Sequence, residues 1–99
     1  MSIATIRAKL KAGDFRFSEH AIKRMIRRSI DRADVELAIS NGEIIEEYPD
    51  DKYSPSCLIR GKTKTGGDLH VQLSLPPNVV IITVYWPDPE EWIDGRIRR

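Results

Sequence analysis

Two periods divide this chain. Up to Asn41 the apolar residues recur every three or four positions, and from Glu43 to Trp86 they alternate. Ile3, Ile6 and Leu10 share one face of a helix over about residues 3–12, with Ser2 as its N-cap and Gly13 as its stop. Ser18 caps a second helix, in which Ala21, Ile22, Met25 and Ile26 form an apolar stripe. Lys23, Arg24, Arg27 and Arg28 fall beside and opposite that stripe. Asp31 caps a third helix with Val35, Ala38 and Ile39 facing inward, and Asn41-Gly42 closes it.

Four strands follow: Glu43–Tyr48, Ser56–Lys64, Asp68–Leu75 and Val79–Trp86. Pro49-Asp50-Asp51, Thr65-Gly66-Gly67 and Pro76-Pro77-Asn78 are the turns between them. The last strand is apolar on both faces and rich in β-branched residues, which predicts a central position. The tail from Glu90 to Arg99 is expected to form a short helix or a loose end, with Trp92 packed back on the domain. The expected fold is therefore α+β, with two to three N-terminal helices packed on a four-stranded antiparallel sheet in one domain spanning the chain.

Register decides which polar residues meet. A three-residue Thr65–Gly67 loop pairs Lys64 with Asp68 and Arg60 with Gln72. For the next hairpin, pairing Leu75 with Val79 mixes polar and apolar side chains on each face. Pairing Leu75 with Val80 separates them, placing Val71 opposite Val84, Leu73 opposite Ile82, Gln72 opposite Thr83 and His70 opposite Tyr85. Burial of one face penalises a one-residue slip, so the second register is expected. Arg60, His70, Gln72, Thr83 and Tyr85 then form one polar patch, and the helices cover the other side.

Composition narrows the setting. The hydrophobic fraction of 40% is ordinary for a globular chain, and 99 residues suffice for a modest core. Cys57 is the single cysteine, so no internal disulfide forms, and no Cys/His group has zinc spacing. A reducing, cytoplasmic setting is expected, without a signal peptide or membrane span, and no cofactor or metal is called for. Net charge is +1 but unevenly spread. Residues 1–40 carry an excess of +4, residues 41–60 an excess of −3, and the remainder balances. One surface thus suits an anionic partner and another a basic one.

His20 and His70 are the two histidines, the side chains best suited to proton transfer near neutral pH. Beside Arg60 and Tyr85, His70 has the makings of a site for a phosphate-bearing ligand. RNA cleavage through the 2′-hydroxyl needs a base, an acid for the leaving 5′-oxygen, and fixed positive charge for the phosphorane-like transition state. His70, His20 and Tyr85 are the candidate acid–base groups, with Arg60 and Arg24 holding the phosphate. Arg27 and Arg28 are candidate backbone-phosphate contacts and Thr83 a further polar contact. His20 and Arg24 stand one turn apart on a helix and can act as a pair. The plain alternative for His70 is a hydrogen-bonded surface histidine beside a cross-strand aromatic. Catalysis requires Arg60, His70 and Tyr85 to project together from one open side of the sheet. Sealing His70 inside the core removes it.

Several segments occur together in a known order. Phe17-Ser18-Glu19-His20-Ala21, Arg24-Met25, and Asn41-Gly42 running to Tyr48-Pro49 resemble the domain-of-unknown-function family 4258 of short bacterial proteins. Ile59-Arg60-Gly61, Leu69-His70-Val71, Ile82-Thr83-Val84-Tyr85 and Pro87-Asp88 continue the resemblance, over about residues 15–95. Where that family usually reads Arg-Gly-Ile, this chain has Arg28-Ser29-Ile30. The resemblance implies distant kinship with the RelE and BrnT ribonuclease toxins. It further implies a toxin of a toxin–antitoxin pair, acting as a metal-independent endoribonuclease on RNA, with a small antitoxin encoded nearby. The alternative is a non-catalytic protein- or RNA-binding module, and the low net charge of +1 favours that alternative over a stand-alone nucleic-acid binder.

Overall fold

The computed structural model describes residues 3–99. The N-cap expected at Ser2 lies outside the described residues. Helix α1 spans Ile3–Lys11, α2 Glu19–Arg28 and α3 Arg32–Asn41. Ser18 caps α2 by accepting the Ala21 N–H at 3.0 Å, and its hydroxyl donates to the Ile82 carbonyl at 2.8 Å. One side chain thus starts the helix and fastens it to the sheet. Asp31 and Asp34 form a reciprocal capping box at the start of α3. At the other end of α3, Arg7 from α1 donates to the carbonyls of Ile39 and Gly42, which the helix leaves without partners.

The first strand, β1, is only Arg16–Phe17; then come β2 Glu43–Tyr48, β3 Ser56–Lys62, β4 Asp68–Ser74 and β5 Val80–Tyr85. They form a five-stranded sheet in the order β1-β5-β4-β3-β2. The fold is α+β as expected, with one strand more than the pattern predicts. A two-residue strand carries no readable period, and β1 joins β5 in parallel. β2 is a sheet edge.

The main core lies between helices and sheet. Ile6, Val35, Ala38 and Ile39 pack with Ile59, Val71, Leu73, Ile81 and Val84. α3 presses closely on the sheet at Gly61, where an added Cβ would overlap the Ala38 backbone. Asn41 continues this contact by exchanging hydrogen bonds with the backbone N–H and C=O of Lys62.

Four expectations need correction. The β3–β4 loop is Thr63–Gly67, closed by Thr63 N–H to Gly67 O at 2.9 Å, so Lys62 pairs with Asp68 and Arg60 with His70. The slip is two residues, which preserves the faces. In the β4–β5 hairpin His70–Tyr85, Val71–Val84 and Gln72–Thr83 pair as expected, but a bulge then sets Leu73 opposite Ile81. The extra residue is Ile82, whose carbonyl Ser18 takes. The tail is a hairpin rather than a helix, with β6 Trp92–Ile93 and β7 Ile97–Arg98. Asp94 and Gly95 turn it with φ of 52° and 69°, and Asp-Gly is a strong two-residue turn signal. Finally, the α2 stripe is half wrong. Ala21 is buried and Met25 half-buried, but Ile22 is 46% and Ile26 77% exposed. α2 packs along β5, so only a narrow strip of its circumference meets the sheet. Among the described residues no helix is long and apolar enough to cross a membrane.

Candidate functional site

Alternation along β4 and β5 aims His70, Gln72, Thr83 and Tyr85 away from the helices, and Arg60 on β3 joins them directly opposite His70. The expected grouping of Arg60, His70 and Tyr85 on one side therefore exists. That side is not open. The β6–β7 hairpin lies across it, and His70 is wholly buried. Trp92 stands edge-on to the imidazole with ring centroids 4.5 Å apart, and Tyr85 does so at 5.2 Å.

The imidazole is fully engaged. Its Nε2 lies 2.6 Å from the Gly95 carbonyl, which can only accept, so Nε2 carries the hydrogen. Nδ1 is then an acceptor, and the Tyr85 hydroxyl donates to it at 3.2 Å. Burial pushes the His70 pKa down; the Gly95 contact and Asp68 oppose this without overturning it, and Arg60 adds to it. The ring is thus neutral, with its tautomer set by the hairpin. Burial likewise pushes the Tyr85 hydroxyl above the ordinary phenol value. With its proton committed to His70, the Tyr85 oxygen offers only lone pairs elsewhere.

Arg60 is also occupied. It reaches Asp68 at 3.1 Å and Glu43 at 3.8 Å. Burial would raise the Asp68 carboxyl, but Lys62 at 2.7 Å together with Arg60 outweighs it and holds the carboxyl below its usual value. Arg60 therefore neutralises a structural carboxylate, while its Nε is buried without a hydrogen-bond partner. Gly95 approaches this cluster so closely that a side chain there would collide with the Asp68 carboxylate. Thr83 Oγ1 is buried without a hydrogen-bond partner.

The hairpin is fastened at its rim. Arg98 meets Glu46 at 3.1 Å, Arg96 meets Glu43 at 2.7 Å, and the Arg98 guanidinium stacks 4.5 Å over Trp92. Burial opposes ionisation of Glu46, but Arg98 and the Tyr48 hydroxyl, which donates to it, hold it ionised below its usual range. Farther along the same side, Asp51 accepts from Ser56 at 2.6 Å, and Gln72 donates to the Ser56 hydroxyl at 3.2 Å.

The remaining predicted residues lie on α2. His20 is exposed, and no hydrogen bond joins it to Arg24, Tyr85 or His70 among the described residues. Arg27 is exposed on the outer side of α2. Arg24 and Arg28 line a groove of about 440 Å³ with Tyr85, Trp86, Asp88 and Glu91. Trp86 donates from its indole N–H to the Arg28 carbonyl at 3.2 Å. Among the described residues no ion pair engages Lys23, Arg24, Arg27 or Arg28. No three His, Cys, Asp or Glu side chains converge as a metal-binding group among the described residues.

Trp92, Gly95 and Arg98, which close the site, are absent from the sequence-based candidates. The signal available for them was Asp94-Gly95, flanked by Trp92-Ile93 and Arg96-Ile97. Cys57 is wholly buried in the main core, and burial pushes its thiol up to about 11, so it is packing rather than a nucleophile.

Neither a curated protein nor a solved structure matches the chain. A family model matches residues 17–86, from the Phe17-Ser18 cap to Trp86 beside the groove. That span covers well over half of the chain and holds every candidate site residue, and the chain belongs to the family described as Domain of unknown function (DUF4258).

Proposed function

We propose that this domain works by binding a partner rather than by cleaving RNA, with the outward side of α2 as its contact surface. The observation carrying this reading is the closed state of the polar face: His70 is buried with both ring nitrogens engaged. Substrate atoms have no path to a group in that condition, and protonating it would bury a cation. Meanwhile Lys23, Arg27 and Arg28 are exposed and Arg24 half-buried, none with an ion-pair partner among the described residues, beside two exposed isoleucines. The near-zero net charge also suits a protein partner better than a bare polyanion.

The test is direct. Purified protein is incubated with end-labelled RNA in the presence of a chelator, and RNA ends are mapped in cells after induced expression. Binding predicts intact RNA and no toxicity that depends on Tyr85. Cleavage that disappears in Tyr85→Phe and Arg24→Ala variants would overturn it.

One observation favours a second reading, the toxin of a toxin–antitoxin pair acting as an endoribonuclease. Tyr85, hydrogen-bonded to His70, lines a groove with Arg24 and Arg28. A 2′-hydroxyl could pass its proton to the Tyr85 oxygen while Tyr85 passes its own to His70 Nδ1. The 2′-oxygen would then bond to phosphorus, and the 5′-oxygen would leave with a proton from water. His70 acts here through Tyr85, not on RNA. The small antitoxin partner implied by resemblance fits either reading.

A further inference from the structure

We propose that Ile22 and Ile26, bordered by Lys23 and Arg27, seat an acidic amphipathic helix of a partner protein. This deepens the binding reading above and rests on it. Ile22 and Ile26 are one helical turn apart, so their side chains form a ridge along α2. They are 46% and 77% exposed, in a helix whose only wholly buried residue is Ala21. Lys23 and Arg27 repeat the same four-residue spacing one position on and run beside the ridge.

The charge of this helix specifies the partner. α2 holds Lys23, Arg24, Arg27 and Arg28 against the single acid Glu19 at its start. Arg24 and Arg28 turn to the opposite flank, toward Tyr85 and Trp86, and leave Lys23 and Arg27 as the cations of the ridge. A ridge at four-residue spacing fits the groove between side-chain rows of a second helix. Carboxylates on that helix would meet Lys23 and Arg27, while its apolar stripe covers Ile22 and Ile26. An RNA strand would satisfy the cations and leave both isoleucines in water.

The probe is a synthetic peptide of about five helical turns, with leucines at i, i+4 and i+7 and glutamates on both flanks, labelled for fluorescence anisotropy with the full chain. Three comparison probes are the same leucines flanked by lysine, the same glutamates with serine for leucine, and a single-stranded RNA. The acidic amphipathic peptide should bind with a dissociation constant on the order of micromolar, as befits a small contact. Ile22→Ser/Ile26→Ser should weaken it about tenfold or more. Lys23→Glu/Arg27→Glu should also weaken it and shift preference to the lysine peptide. All four sites are exposed, so the variants should fold, which circular dichroism checks. Equal binding of the lysine or serine peptide, indifference to the isoleucine variants, no binding at all, or tighter binding of the RNA would each overturn the proposal. A chain that leaves RNA intact but ignores the peptide refutes this partner alone, whereas Tyr85-dependent cleavage refutes the binding reading beneath it.

Discussion

The two faces of the sheet are closed by different means. Helices α1, α2 and α3 cover one with aliphatic side chains, and Ile59, Val71, Leu73, Ile81 and Val84 meet them from the strands. The other is closed by one short hairpin that buries Trp92 over His70 and is held at its rim by Arg96 and Arg98. Non-directional burial dominates the first, and burial of aliphatic groups involves no titrating side chain. Ion pairs half open to water and a buried imidazole govern the second, and both respond to solution conditions. The helix side should therefore set overall stability, and the hairpin side should set when the polar cluster is reached.

The severest way to break this contrast is Gly61→Ala. Its Cβ meets the backbone of Ala38, which cannot step aside as a side chain can, and a loss of about 3 kcal/mol or more is expected in urea unfolding. Trp92→Ala should cost about 2–3 kcal/mol, somewhat below a central-core truncation because the hairpin can settle. It should also release the His70 imidazole to solvent, visible as a changed ring resonance by NMR. An unchanged His70 environment would mean that the hairpin is not what seals it.

Acidification reaches the hairpin side through His70. The folded state holds the His70 pKa below its ordinary 6.5. Between those two values the unfolded chain binds more protons, so the contribution of His70 is complete above about pH 6.5 and is lost as pH falls toward the folded value. Its slope is at most about 1.4 kcal/mol per pH unit, the limit for one proton. Asp68 and Glu46, also held low, add losses of the same sign at lower pH. His70→Gln should flatten the first part of this curve while leaving the later part.

Two smaller changes sharpen the contrast. Ser29 ends α2 in the left-handed region at φ 56°, so Ser29→Gly should stabilise the helix side by about 1 kcal/mol or less, measured by thermal unfolding. Arg98→Ala should cost below about 1 kcal/mol, shrinking further in salt, because Arg98 itself is half open to water. It should nonetheless speed proteolysis in the tail.

Most of the helix side was legible because burial enforces a period: the caps at Ser18 and Asp31, the inward Val35, Ala38 and Ile39, and the facing parity of β3, β4 and β5 all follow from it. Ile22 and Ile26 were misplaced because period reveals an apolar stripe without revealing how wide a strip the sheet can cover. The hairpin side was barely legible. His70 beside Tyr85 followed from register, but its burial depends on Trp92, more than twenty residues away in the chain, and two-residue strands leave no pattern. Arg60 looked available because its partner Asp68 became its neighbour only through a five-residue loop where three residues were expected.

Cys57 offers a last consequence. It is the sole thiol, and it sits under the helices rather than under the hairpin. Lifting the tail would leave it shielded, so a thiol-reactive dye added to the native protein should register only those excursions in which the helices themselves come away. The chain thereby contains a natural clock for its deepest opening, readable without introducing any foreign residue.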